Sequence, residues 1–151
     1  MNYERNMKKK ISVHVESGSG ESRVLVPLYS ARPQAGFPSP GDDHIEEMLD
    51  IQKLLVPNPL TTFFVRVEGD SMEGAHIFSG DVLVVDRGVT AKNGSIVVAA
   101  VYGEMVVKRL VVHDAHYMLV SEHTAYAPID ITNNEDCFIW GVVTGSARQL
   151  T

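Results

Sequence analysis

The rhythm of apolar and polar positions changes near residue 61. Beyond it, apolar residues come in short β-branched and aromatic stretches: Phe63-Phe64-Val65-Arg66-Val67, Val82-Leu83-Val84-Val85, Ile96 to Tyr102, Met105 to Val112, Tyr117 to Val120 and Phe138 to Val143. Gly and Asp turns separate them, which predicts strands. Tyr102-Gly103-Glu104 reads as the tip of a hairpin. With no long helical pattern between them, these strands predict a mostly β chain, a compact antiparallel barrel or sandwich.

Upstream the pattern is different. Residues 1 to about 22 are polar around Ser17-Gly18-Ser19-Gly20 and are expected to be mobile. Val24-Leu25-Val26-Pro27-Leu28-Tyr29 can pair as an edge strand up to its proline. Residues 30–43 hold Pro33, Pro38, Pro40, Gly36 and Gly41, so an extended, accessible linker is expected there. Asp50 is placed to cap a short helix through Leu55, ended by Pro57 and Pro59.

Composition then narrows the function. A chain of 151 residues suits one compact domain plus a tail, and 44% apolar with 21% charged residues is enough for a real core. The formal net charge of −6, with no long basic stripe, argues against direct nucleic-acid binding by phosphate neutralisation. The single cysteine, Cys137, excludes an internal disulfide and a cysteine-based metal site, and fits a reducing cytoplasm. It and Trp140 sit in an apolar strand; Cys137 reads as inert core, Trp140 as core or interface. The basic start is followed by a stretch too polar for a targeting core, and no apolar run approaches a membrane span. A soluble cytoplasmic protein is expected.

Three features bear on chemistry together. Ser71, in Val67-Glu68-Gly69-Asp70-Ser71-Met72, follows a strand at a Gly-Asp turn. There a hydroxyl can point outward while backbone N–H groups face the same space, although an ordinary turn-capping serine has the same local signature. Lys108 alternates with Val106 and Leu110 on one strand face, and Arg109 with Val107 and Val111 on the other. A lysine among apolar neighbours has a lowered pKa and can serve as a neutral base; a lysine on a solvent face has none of this. The linker holds Ala35-Gly36, where a small side chain precedes a residue that lets the chain bend. A plain proline-rich spacer is the alternative there.

Rival chemistries fit poorly. The six histidines form no His-Glu-x-x-His or comparable metal pair, and His113 and His116 straddle a turn. There is no Gly-x-Ser-x-Gly elbow, phosphate loop or dinucleotide fingerprint, so neither a metal nor another cofactor is expected.

Ala35-Gly36-Phe37-Pro38-Ser39-Pro40, Gly69-Asp70-Ser71-Met72, Ser79-Gly80-Asp81-Val82-Leu83-Val84-Val85-Asp86 and Val106-Val107-Lys108-Arg109-Leu110, in this order and spacing, resemble the UmuD group of LexA-like Ser–Lys peptidases. The likeness runs from about Val24 to the C-terminus. It implies a mostly β peptidase domain of antiparallel strands with an extended N-terminal arm. Ser71 would be the nucleophile and Lys108 the general base, with backbone N–H groups of Asp70 and Ser71 as the oxyanion hole. The scissile bond would be Ala35–Gly36, giving an arm (1–35) and a body (36–151). Alanine before the cut glycine is what LexA-type repressors carry, where UmuD has cysteine. The resemblance further implies cleavage stimulated by a RecA filament on single-stranded DNA during the SOS response. The processed homodimer would then serve a UmuC-like Y-family polymerase in error-prone lesion bypass.

Other functions meet obstacles in the sequence. A cleavable transcriptional regulator needs a DNA-binding domain before the cut, and the first 35 residues are too few and too broken by Gly and Pro to make one. A signal peptidase shares the chemistry but needs a membrane anchor. A non-catalytic accessory subunit has no need for Ser71, Lys108 and Ala35-Gly36 together.

Overall fold

The computed structural model describes residues 14–18, 21–29 and 45–151. They fall into two compact units, one ending at Pro57 and one from Asn58 to Thr151. The first holds a three-stranded antiparallel sheet in the order β1 (His14–Gly18), β2 (Glu21–Tyr29), β3 (Ile45–Asp50), then a short helix, Ile51–Leu55. The helix begins as expected: the Asp50 carboxylate accepts the Lys53 N–H at 3.0 Å, satisfying one of the unpaired first-turn donors. Two expectations need correction. His14–Gly18 and the first residues of β2 are strands rather than mobile tail. β2 is the middle strand of its sheet, not an edge. Among the described residues its pairing with β1 runs from Glu21 to Leu25, and Pro27 lies opposite Met48 of β3. The proline-rich linker, with Ala35 and Gly36, lies outside the described residues.

The second unit is a seven-stranded antiparallel sheet. In chain order its strands are β4 (Thr62–Arg66), β5 (Val82–Asp86), β6 (Ile96–Val101), β7 (Glu104–His113), β8 (His116–Val120), β9 (Ile129–Asp130) and β10 (Cys137–Ala147). Side by side they run β4-β5-β10-β6-β7-β8-β9, so the last strand is inserted between β5 and β6. Two tight hairpins build the β6-β7-β8 meander. Their central residues, Tyr102 with Gly103 and Asp114 with Ala115, all have positive φ. Such turns match the right-handed twist of the strands they join.

Alternation along β6 divides the core. Val97, Ala99 and Val101 pack with Leu110, Leu119, Cys137 and Val142, whereas Val98 packs with Val67, Met72, Ile77, Leu83 and Val85. Successive strand residues point to opposite faces, so the two clusters sit on opposite sides of the sheet. Cys137 is core, as expected, but Trp140 is 41% exposed and stacks on the exposed Phe138 at 6.1 Å. Three charged side chains are buried among the described residues: Asp81, Asp86 and Lys108. Asp86 accepts from the Thr61 hydroxyl at 2.6 Å, the Gly88 N–H at 2.8 Å and the Asn58 amide at 3.2 Å. Asp81 accepts from Nε and Nη2 of the Arg148 guanidinium, at 2.6 and 2.7 Å, and from the Phe78 N–H at 2.9 Å.

Candidate active site

Ser71 lies where β4 gives way to a turn. Val67 extends the β4 ladder: its N–H donates to Asp81 O at 2.9 Å and its carbonyl accepts the Gly80 N–H at 2.8 Å. The chain then reverses through Gly69, whose φ of +85° suits glycine. Met72, 2% exposed and packed among Val67, Ile77, Leu83, Val85 and Val98, anchors the far side of the turn. A short 3-10 turn, Glu73–Ala75, follows. Ser71 is therefore pinned between a strand and a buried methionine, and its side chain is half-buried. Its N–H takes no hydrogen-bond partner among the described residues.

Of the two adjacent cations on β7, Lys108 is the buried one, at 8% exposure, on the face shared by Leu110 and Val106. Arg109 on the opposite face is half-exposed and pairs with Glu122. Burial holds the Lys108 ammonium below the ordinary lysine range, because removing a charge from water favours its neutral form. Nζ donates to Ser121 Oγ at 2.7 Å, and no hydrogen bond joins it to Ser71 among the described residues.

The segment 121–126, after β8, touches both places. Gly74 donates its N–H to Glu122 O at 2.9 Å; a Cβ on Gly74 would lie 2.6 Å from that oxygen, so only glycine allows this approach. The Tyr126 hydroxyl donates to Asp70 Oδ1 at 2.6 Å, and His123 Nε2 lies 3.6 Å from Asp70 Oδ2. The Tyr126 hydrogen bond, with a smaller contribution from His123, holds the Asp70 carboxyl below its usual range. The Tyr126 ring also lies under Lys108 Nζ, 5.2 Å from ring centroid to nitrogen. One tyrosine thus contacts both the residue before Ser71 and the buried lysine. Ser121 and Tyr126 carry no motif of their own.

Among the described residues, no group of three or more His, Cys, Asp or Glu side chains is arranged to hold a metal ion. A concavity of about 710 Å³ is lined by Arg66, Phe78, Asp81 and Arg148, among others, and includes neither Ser71 nor Lys108. The candidate site is therefore built from Ser71, Lys108 and the 121–126 segment.

A family model described as Peptidase S24-like matches residues 27–144. The chain is 42% identical over 137 residues to Protein MucA of Salmonella typhimurium, covering 90% of this chain and 94% of that protein. It is 45% identical over 132 residues to Protein ImpA of Salmonella typhimurium, covering 83% and 86%. It is also 32% identical over 148 residues to the LexA repressor of Pseudomonas chlororaphis, covering 89% of this chain and 73% of the repressor.

Proposed function

The chain belongs to the Peptidase S24-like family, and on that premise we propose that it is a serine endopeptidase that cuts its own Ala35–Gly36 bond, with Ser71 as nucleophile and Lys108 as base. The observation that carries this reading is the burial of Lys108. A lysine held below its ordinary pKa by apolar surroundings has a lone pair available, which is what proton removal from a serine requires. The Tyr126 link between Asp70 and Lys108 supports the pairing of that base with the Ser71 turn.

In this mechanism Ser71 Oγ attacks the Ala35 carbonyl carbon while its proton passes to Lys108 Nζ. The oxyanion is met by the N–H groups of Ser71 and Asp70. Collapse breaks the C–N bond, the ammonium returns the proton to the Gly36 amine, and Ala35 remains as an ester on Ser71. A water deprotonated by Lys108 releases residues 1–35 and restores the serine.

The same reading assigns the chain to SOS mutagenesis in the cytoplasm. Its cleavage is triggered by a RecA filament on single-stranded DNA, and the processed form is a homodimer serving a UmuC-like Y-family polymerase. No helix among the described residues is long and apolar enough to cross a membrane. The test is incubation of the purified chain, with and without filament, beside Gly36→Glu and Ala35→Asp variants. Wild type should yield residues 36–151 and the variants should stay intact with unchanged thermal transitions. An intact wild-type chain after prolonged incubation with filament would leave only a non-catalytic accessory subunit.

A further inference from the structure

The register of the β7–β8 hairpin places one more residue at the base. Its pairs run from His113 with His116 to Arg109 with Val120. One step further along the same register sets Ser121 directly opposite Lys108. Facing residues of an antiparallel pair project to the same side with Cβ atoms about 5 Å apart, close enough for side chains to meet. Backbone register thus brings the two side chains to the same side, where Nζ donates to Ser121 Oγ at 2.7 Å.

We propose that Ser121 is a positioning residue for the reaction: its hydroxyl oxygen accepts one Nζ–H of Lys108 and thereby aims the lone pair of the amine at the Ser71 turn. This rests on the reading of Lys108 as the base. A lysine head on four methylenes samples many directions, and a base contributes only when its lone pair faces the proton it removes. Ser121 fixes one N–H. The Tyr126 ring closes a second direction and, through its hydroxyl on Asp70, ties that direction to the turn that carries Ser71. The remaining titratable groups nearby are Asp70, His123 and Glu73 around Tyr126, and Arg109 and Glu122, which pair with each other. On the β6 side, Lys108 faces Val97, which does not titrate.

The hydroxyl has a second, measurable consequence. An oxygen acceptor stabilises an ammonium more than a neutral amine, so Ser121 raises the Lys108 pKa against the lowering caused by burial. In the full-length chain, Ser121→Ala should reduce the plateau rate of self-cleavage roughly tenfold and move the midpoint of its pH profile down by about 0.5–1 unit. Ser121→Thr should restore most of both. Independently of cleavage, the Lys108 ¹³Cε titration in a full-length Ser71→Ala background should shift down by the same amount when Ser121→Ala is added. An unmoved Lys108 titration, or a slower rate with no midpoint shift and no rescue by threonine, overturns the positioning role. The dyad itself is judged separately, by the loss of cleavage in Ser71→Ala and Lys108→Ala. If Ser121→Ala abolished cleavage while Ser71→Ala retained it, Ser121 would be the nucleophile, and both the dyad and the positioning role would fall.

Discussion

In the proposed dyad, Lys108 would combine a cost in stability with a gain in chemistry. Its folded-state pKa lies below that of the unfolded chain, so between the two values the unfolded state binds more protons. Stability from this group is therefore lowest below the folded pKa and rises with pH through it. On the proposed reading, the same titration would produce the base. Self-cleavage without filament should accelerate from neutral pH, with a midpoint below about 10.4, the ordinary value for lysine. A rate that is flat or falls across this range, followed by gel densitometry, contradicts a lysine base. Part of this was legible in the sequence: strand spacing puts Lys108 and Arg109 on opposite faces, each between apolar residues, so the pattern brings one cation among them without deciding which, and the fold buries Lys108. Ser121 was legible in principle, since the turn at Asp114-Ala115 fixes the residue that faces Lys108. Tyr126 was not, because its contact with Asp70 spans 56 residues and depends on a loop with no periodic pattern.

At the scale of elements, the Ser71 turn and the 121–126 segment are joined where Gly74 meets Glu122. A methyl group at Gly74 would collide with a backbone oxygen, which cannot rotate away as a side chain can. Gly74→Ala should therefore separate the two segments, cutting the cleavage rate by at least tenfold while costing about 1–3 kcal/mol in urea unfolding. Wild-type cleavage in that variant would show that the contact is dispensable. The elements themselves were readable unevenly. β4, β5, β6, β7, β8 and β10 announce themselves through β-branched runs and Gly or Asp turns. β3 reads Ile45-Glu46-Glu47-Met48-Leu49-Asp50, in which alternation is broken and several residues favour helices, so only its pairing with β2 makes it a strand. β9 has two residues, too few for any period.

For the whole molecule, two features lie far along the chain from the chemistry. Arg148, near the C-terminus, clamps the buried Asp81 and the carbonyl of His76, and so fixes the loop that follows Ser71. The Arg148 hydrogen bonds lower the Asp81 pKa to about 2. The stability this brings is complete above the unfolded value near 3.9 and is lost as pH falls through 2. Arg148→Ala should destabilise the protein at pH 7, by less than the loss of a fully buried pair because Arg148 is 40% exposed. That difference should shrink in denaturant unfolding below pH 4; a gap that stays constant down to pH 2 contradicts it. The second feature is aromatic. Phe138 and Trp140 on β10 are exposed by 54% and 41%, and Phe63 meets Trp140 edge-on at 6.1 Å. Such a patch favours association between copies. Residues 36–151 should sediment as a dimer at micromolar concentration and as a monomer with Trp140→Glu; a wild-type monomer rules out this face as a dimer contact.

The central claim, a Ser71–Lys108 dyad cutting Ala35–Gly36, is tested most directly by mass spectrometry of the full-length chain after incubation with a RecA filament on single-stranded DNA. Wild type should give a fragment whose N-terminus reads Gly36-Phe37-Pro38-Ser39, and Ser71→Ala and Lys108→Ala should each remain intact though folded. A different N-terminus, or the same fragment from either variant at near wild-type rate, would contradict it.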